Sequence, residues 1–372
     1  MQKTAKPTMR GKMDFAILAT ICVLLAIGVV MLFSASYYYA ETQKDNGLFY
    51  VQKQLLFIAI AIPLMLAITR MDYRLLLKFR IPEIMLGASI VLLILVLIFG
   101  KTTNGAKRWL EIGSLSVQPS EVAKFGLIVY MAAFMPSKPN LMKDVKHGLL
   151  PMLMVIGMVC VLIMAQPNMS MAVIVGMMGI VMLYVGGVEG KYIAMLLFAG
   201  MVLFVLFAYI EPYRMARLVG FRNPWEDAAG TGYQLIQSFY ALGAGGLFGQ
   251  GFNNSRQKLL YLTYGESDFV FAIVGEELGF IGAMLVILLY IFIVYRGMRV
   301  ALRCRNRFGS MLAAGITVVF ALQVLVNVGV VTGSMPTTGQ ALPFMSAGGT
   351  SLLIFMSAMG VLLNISRDTS EL

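Results

Sequence analysis

Ten long apolar runs divide this sequence, and most of the segments between them are short and polar. A helix needs about 20 apolar residues to cross the hydrocarbon core of a bilayer, which is about 30 Å thick. Charged residues make up only 13% of the chain, against about 25% in soluble domains. The pattern predicts an all-α integral membrane protein, one polytopic domain over residues 1–372. Its ten transmembrane helices are expected at about 14–35, 50–69, 81–99, 118–135, 149–165, 170–187, 192–210, 268–295, 310–332 and 347–366.

Lysines and arginines indicate the orientation, because short loops rich in them stay on the cytoplasmic side. With the N-terminus inside, the inner loops contain the basic clusters at 3–12, 70–80, 138–146 and 296–307. Both termini are therefore predicted to be cytoplasmic. The outer segments are expected at about 36–49, 100–117, 211–267 and 333–346. The long extracytoplasmic loop between helices 7 and 8, residues 211–267, is the natural place for function, since extended loops are uncommon without one.

Several chemistries lack the residues that they need. His147 is the only histidine and lies in a predicted cytoplasmic loop, which argues against a Ser-His triad, a His-rich zinc site or paired haem ligands. Cys22, Cys160 and Cys304 show no paired spacing, so neither a disulfide framework nor a thiolate metal site is indicated. Acid and base catalysis must depend on carboxylates, lysines or tyrosines.

Apart from carboxylates at the boundaries of spans, three fall within predicted spans, where ionisable groups are costly and tend to mark a site or a pathway. Glu121 stands three residues before Lys124, a spacing that places both side chains on one helical face. The two either form a structural ion pair or line a polar cavity. Glu276 and Glu277 lie about 12 Å deeper than Asp268 at 1.5 Å per residue, and they either support a structural network or belong to a site.

Asp268 differs from these because it lies where a polar segment meets an apolar run. It could simply complement the positive end of a helix dipole. Alternatively, a partly desolvated carboxylate at this boundary has a raised pKa suited to a general base. Asp268 is therefore the leading candidate for a catalytic residue.

The outer segments contain cations against the usual charge bias. They are Lys101, Lys107, Arg108, Arg214, Arg217, Arg222, Arg256 and Lys258. Gathered outside the membrane, they suggest an anionic ligand, and guanidinium groups suit phosphate particularly well. A lipid phosphate fits better than a nucleotide or nucleic acid, which outer loops rarely meet.

Two glycine- and proline-rich segments interrupt the helical pattern on the outer side. "ALGAGGLFGQGFNNSRQK" (241–258) lacks the βαβ context of a nucleotide-binding loop. It is predicted either to deliver Arg256 and Lys258 toward the membrane mouth beside Asp268 or to be a purely structural re-entrant loop. "GSMPTTGQALPFMSAGGTS" (333–351) is expected to be sheltered by protein or to line a water-filled cavity.

Five collinear motifs resemble the SEDS family of bacterial cell-wall polymerases, and the similarity covers nearly the whole chain. They are "NGAKRWLEIGSLSVQPSEVAK", "NPWEDAAGTGYQLIQS", "GGLFGQGFNNSRQKLLYL", "SDFVFAIVGEELGFIG" and "NVGVVTGSMPTTGQALPFMSAGGTSLL". The likeness is to the FtsW and SpoVE branch, with RodA more distant. Two departures, Asn168 in "QPNMS" and Ala347 in "SAGGT", leave the local roles of those positions open.

The resemblance implies an enzyme of the bacterial cytoplasmic membrane that polymerises glycan from lipid II. It also implies a class B penicillin-binding protein as the crosslinking partner. The essential acidic residue of the family corresponds to Asp268, its helix-four pair to Glu121 and Lys124, and its basic loop position to Lys258.

These inferences lead to a mechanism in which Asp268 takes the proton of the acceptor 4-hydroxyl, while Arg108, Arg256 and Lys258 stabilise a lipid diphosphate leaving group. A divalent cation is left open, because the sequence shows no ligand cluster that would settle it. The rival reading is a flippase of the lipid-linked precursor. A noncatalytic scaffold would explain the outward cations poorly.

Overall fold

Helices form at all ten predicted spans in the computed structural model, which describes residues 11–103, 105–113, 115–137, 142, 144–210 and 212–369. They are α1 (Phe15–Lys44), α2 (Phe49–Arg70), α3 (Ile81–Phe99), α4 (Pro119–Ser137), α5 (Leu150–Met164), α6 (Met169–Val185), α7 (Gly190–Ile210), α10 (Val270–Arg303), α11 (Arg307–Val331) and α12 (Gly349–Ile365). Within the described ranges, eight helices are long and apolar enough to cross a membrane, and α6 is a shorter apolar helix. The predicted all-α membrane fold is confirmed, whereas the number of crossings and their direction stay predictions.

α11 lies at the centre of the bundle, where it contacts α4, α6, α10, α12 and the outer helix α9 (Tyr233–Gly245). Most of its residues are buried, including the amides of Gln323 and Asn327. α7 is the opposite case, because Ala208 is its only buried residue. A helix that is apolar and exposed on nearly all sides is expected to face lipid.

The two ends of the described chain meet at the same end of the bundle. The Gly11 N–H donates to the carbonyl of Arg367 at 2.9 Å, and Asp14 forms an ion pair with Arg296 at 2.7 Å. Arg74 forms a second ion pair there with Asp368 at 2.6 Å. This arrangement is the one expected if both termini lie on one side of the membrane.

The outer segment 100–117 forms a small antiparallel sheet in the order β1-β2-β3. Its strands are β1 (Lys101–Thr103), β2 (Ala106–Ile112) and β3 (Leu115–Val117). Thr350 at the start of α12 donates its hydroxyl proton to the carbonyl of Ser116 at 2.9 Å. The sheet is thereby fixed over the outer ends of the helices, and β2 carries Arg108.

The long outer segment 211–267 is not a simple loop. It contains α8 (Pro212–Arg222) and α9 (Tyr233–Gly245), and α9 packs along α10. The turn after α9 reaches α10 at a kink, where Gly279 has a φ of 69°. There the Phe280 N–H donates to the carbonyl of Gly246 at 2.8 Å, replacing a helical bond that the kink removes. The segment therefore re-enters the bundle.

Of the two alternatives predicted for the irregular segment between α11 and α12, the first holds for its second half, which is sheltered by protein, while residues 335–338 line a cavity. Leu342, Phe344 and Met345 within it are buried. The Tyr290 hydroxyl of α10 donates to the carbonyl of Pro343 at 2.5 Å. Non-helical backbone is tolerated at this depth because its polar groups find partners inside the molecule.

Candidate functional site

Asp268 lies two residues before the start of α10, so it is outside the helix and half-buried. Burial, followed by the nearby charge of Glu266, raises the pKa of its carboxyl group to about 6. The positive charge of Arg217, a hydrogen bond from Ser267 and the charge of Arg108 oppose this rise. A carboxylate with this pKa is ionised at neutral pH yet can accept a proton, as a general base must.

The backbone around Asp268 is held at three consecutive carbonyls. Those of residues 266, 267 and 268 accept hydrogen bonds from the Ala347 N–H at 3.0 Å, the Ser346 hydroxyl at 2.5 Å and the Asn327 amide at 2.8 Å. On the side-chain flank, Gly339 is so close that a Cβ there would lie 3.3 Å from the Asp268 Oδ2. The segment between α11 and α12 thus forms a wall of the site.

A cavity of about 230 Å³ is lined by both arginines that act on Asp268. Arg108 comes from β2, and its guanidinium donates to the carbonyls of Gln166, at 3.3 Å, and Pro167. Arg217 comes from α8 and donates to the carbonyl of Thr337 at 3.1 Å. Two guanidinium groups beside a carboxylate suit a ligand that carries both phosphate and hydroxyl groups.

Arg217 was not singled out from the sequence. It appeared only among the outer cations, without a motif to distinguish it. The amphipathic α8 brings it to the cavity, and that placement depends on how the long outer segment folds. The one available signal was its position in the longest outer segment.

Glu276 and Glu277 hold the glycine-rich segment against α10. Glu276 accepts hydrogen bonds from the Ser255 hydroxyl and from the Arg256 N–H, the latter at 2.9 Å. Glu277 accepts from the Ser34 hydroxyl at 2.6 Å and forms an ion pair with Lys258 at 3.1 Å. Both carboxylates are buried, and these partners offset the cost of burying their charge, although Oε2 of Glu277 has no partner among the described residues.

The structure places Lys258 and Arg256 differently from the sequence-based expectation that both reach the mouth beside Asp268. The Lys258 ammonium contacts Glu277, Ser34 and Asn253, and Lys258 lines a separate cavity with Glu266. The Arg256 side chain is exposed, and its backbone N–H is bound to a carboxylate of α10. The reason is that glycines let the loop pair with the kinked backbone of α10, which pulls the following residues inward.

Close backbone approach explains two glycines in this segment, Gly245 and Gly249. Gly249 has a φ of 83°, and a Cβ there would lie 2.1 Å from the carbonyl oxygen of Glu277. The N–H groups of Gln250 and Gly251 donate to the carbonyls of Glu276 and Glu277 at 2.9 and 3.1 Å. A side chain at position 249 would both clash and strain the backbone.

The predicted ion pair between Glu121 and Lys124 is confirmed. The Lys124 ammonium lies 2.9 Å from the Glu121 carboxylate, and both side chains are buried. Lys124 also donates to the Gln323 amide oxygen at 2.7 Å and lies 4.8 Å from the centre of the Phe355 ring. The pair belongs to the packed interior between α4, α11 and α12. A contact with substrate stays a prediction for both residues.

The two positions that depart from the family pattern have local roles. The side-chain oxygen of Asn168 caps α6 by accepting from the Met171 N–H at 3.3 Å, and Asn168 also lines the cavity. Ala347 acts through its backbone N–H at the Glu266 carbonyl. Over the described part of the chain, no group of three or more His, Cys, Asp or Glu could hold a metal ion.

Comparison with known proteins gives consistent matches over nearly the whole chain. The family model FTSW_RODA_SPOVE, described as "Cell cycle protein", matches residues 15–371. Stage V sporulation protein E of Bacillus subtilis is 39% identical over 97% of this chain and 98% of its own length. A probable peptidoglycan glycosyltransferase FtsW of Trichlorobacter lovleyi is 40% identical over 97% of this chain and 95% of its own length.

Solved structures show the same fold. One matching structure is described as "Structural coordination of polymerization and crosslinking by a peptidoglycan synthase complex". Its chain matches with a TM-score of 0.79 and 28% identity, over 96% of this chain and 98% of that chain. The rod shape determining protein RodA of Thermus thermophilus matches with a TM-score of 0.72 and 25% identity, over 96% of this chain and 98% of that chain.

Proposed function

Since the chain belongs to the FtsW, RodA and SpoVE family of cell cycle proteins, we propose that it is a peptidoglycan glycosyltransferase with Asp268 as its general base. It is a multi-pass protein of the bacterial cytoplasmic membrane. The observation that carries the assignment of Asp268 is its half-buried position within electrostatic reach of two arginines, Arg108 and Arg217, that line a cavity. Its substrate is lipid II, in which a disaccharide is linked to a lipid through a diphosphate.

The reaction joins two lipid-linked sugars in one displacement. The 4-hydroxyl oxygen of the acceptor sugar attacks the anomeric carbon of the donor, and its proton passes to the Asp268 carboxylate. The bond between the anomeric carbon and the diphosphate oxygen breaks, so the α-linked donor becomes a β-1,4 glycosidic bond. Proton transfer to a positioned carboxylate typically contributes about 10² to 10⁴ in rate.

The leaving diphosphate gains negative charge as this bond breaks. Arg108 and Arg217 stabilise that charge in this proposal, which is supported by two observations: both residues line the cavity and both act electrostatically on Asp268. Preorganised cations are effective here because they need no reorganisation during the reaction. Their anchoring to the carbonyls of Pro167 and Thr337 supports this role. Arg256 and Lys258 are further candidates, with the placements described above.

The decisive experiment is polymerisation of fluorescent lipid II by the purified full-length protein in vesicles. Asp268→Asn keeps the size of the side chain and removes its ability to take a proton, so polymer formation should fall by roughly 10² to 10⁴. Asp45→Asn is the matched control, because it makes the same change at an exposed carboxylate. Normal polymer yield from a folded Asp268→Asn protein would exclude Asp268 as the base.

The same vesicles test the rival flippase. Lipid II that moves across the bilayer without forming polymer would favour transport over polymerisation. For crosslinking, we propose a class B penicillin-binding protein as the partner. The fold match to a chain of a peptidoglycan synthase complex supports this pairing, and co-purification with such a transpeptidase would test it.

A further inference from the structure

Two buried amides of α11 link the candidate base to the interior of the bundle. Gln323 and Asn327 are four residues apart, so they lie on one helical face, and both are buried. Asn327 donates from its side-chain amide nitrogen to the carbonyl of Asp268 at 2.8 Å and to the carbonyl of Gln340 at 2.6 Å. Gln323 donates to the carbonyl of Ala341 at 3.0 Å. Both amides thus fix the segment between α11 and α12, and of the two only Asn327 also binds the backbone carbonyl of Asp268.

The side-chain oxygen of Asn327 is buried and has no hydrogen-bond partner among the described residues. Burying an acceptor without a partner is unfavourable, and an apolar side chain of similar shape would avoid that cost. The two hydrogen bonds that the amide nitrogen donates must therefore contribute more than the cost of burying the unpaired oxygen. A departure of this kind from good polar pairing is expected at functional sites.

Asn364 shows what a satisfied amide of the same kind looks like in this molecule. It is buried in α12, and its nitrogen bridges the carbonyls of Thr69, at 2.8 Å, and Met71. Its oxygen accepts from the Tyr73 N–H at 3.1 Å. Asn364 lies at the end of the bundle where the chain termini meet, remote from Asp268. It is therefore a matched structural counterpart without access to the candidate site.

We propose that Asn327 is a positioning residue for the reaction. By joining the carbonyl of Asp268 to that of Gln340, it sets the distance between the carboxylate and the wall that Gly339 forms. The inference rests on the proposed role of Asp268 as the base. Small displacements of a base are costly, because a shift of about 1 Å can lower the rate by about 100-fold.

The test compares Asn327→Leu with Asn364→Leu in the lipid II polymerisation assay, with rates expressed per folded protein. Both changes remove a bridging amide from a buried site, so both should lower the melting temperature. Only Asn327→Leu should lower kcat, by about 10- to 100-fold, with little change in KM. Ser346→Ala is a milder second variant, which removes the adjacent bond to the Ser267 carbonyl and should lower kcat several-fold even if Asn327→Leu fails to fold.

Outcomes for the base and for its positioning are separable. If Asp268→Asn is inactive while folded Asn327→Leu and Ser346→Ala keep a normal kcat, the positioning role is wrong and the base assignment stands. If Asp268→Asn is fully active, the base assignment itself fails. Combining Asn327→Leu with Asp268→Asn should add no further loss, because a residue that acts through another contributes nothing once the other is removed. An additive loss would contradict the proposal.

Discussion

Replacing Asp268 by asparagine should make the protein more stable while it lowers polymerisation by roughly 10² to 10⁴. The pKa of Asp268 rises from 3.8 to about 6 on folding, chiefly because of burial and then because of the charge of Glu266. The ionised form is therefore less favourable in the folded protein than in the unfolded chain. The rise corresponds to about 3 kcal/mol at neutral pH, since one pH unit is worth about 1.4 kcal/mol. A neutral amide of the same size avoids most of this penalty.

The pH dependence follows from the same linkage. Because the folded-state pKa lies above the unfolded value, the folded protein binds more protons between pH 3.8 and about 6, and stability falls as pH rises through that window. At pH 7.5 the advantage of Asp268→Asn should be up to about 3 kcal/mol, and at pH 5 it should shrink to about half. It should shrink further at pH 4 and disappear below about pH 3, where Asp268 is protonated in both states.

Thermal unfolding of the full-length protein in detergent micelles measures this effect. Asp268→Asn should raise the melting temperature by a few degrees at pH 7.5 and by less at pH 5. Asp45→Asn, at an exposed position, should leave the melting temperature unchanged at both pH values. A melting temperature for Asp268→Asn at or below that of the parent protein, or a difference independent of pH, would refute the inference that burial destabilises this carboxylate.

The other predictions concern charge and topology. Polymerisation should lose about half its rate near pH 6 and about nine tenths by pH 5, as Asp268 becomes protonated. Glu266→Gln should shift this loss of rate to lower pH, because it removes a charge that raises the pKa of Asp268. An unchanged pH profile would exclude Glu266 as a cause of the raised pKa. Single neutral replacements of Glu121 or Lys124 should each cost about 3 to 5 kcal/mol in unfolding experiments; a double replacement as damaging as both singles combined would show that the two do not interact. The topology is tested in spheroplasts that express the protein with its own three cysteines replaced. Asp45→Cys should then react with a membrane-impermeant thiol reagent, whereas Lys78→Cys should not. Reversed labelling would show that the predicted orientation in the membrane is wrong.

Most of the fold was predictable because membrane insertion depends on local composition. An apolar run of sufficient length must satisfy its backbone within itself, so hydropathy alone gives the helices and their approximate ends. The Glu121–Lys124 pair was predictable for a related reason, since a spacing of three residues fixes two side chains on one helical face. Asp268 was identifiable because it lies where a polar segment meets an apolar one, a boundary that can be read directly from the sequence.

The cations around Asp268 could not be assigned in this way. Lys258 and Arg217 both lie in the long outer segment, and only the path of that segment decides which of them approaches the carboxylate. The path is set by backbone pairing between the glycine-rich turn and the kink of α10 at Gly279, a contact between residues far apart in the chain. It draws Lys258 down to Glu277 and leaves Arg217 at the cavity.

The positioning of the base was equally invisible in the sequence. Asn327 looks like any polar residue in an apolar helix, and its significance comes from the carbonyls of Asp268 and Gln340 that it joins. Spans, the buried ion pair and the candidate base were thus determined by local chemistry along the chain. The residues that surround the candidate base were decided by tertiary structure. Hydrogen bonds and ion pairs between distant segments depend on the path of the folded chain and leave no periodic signal in the sequence.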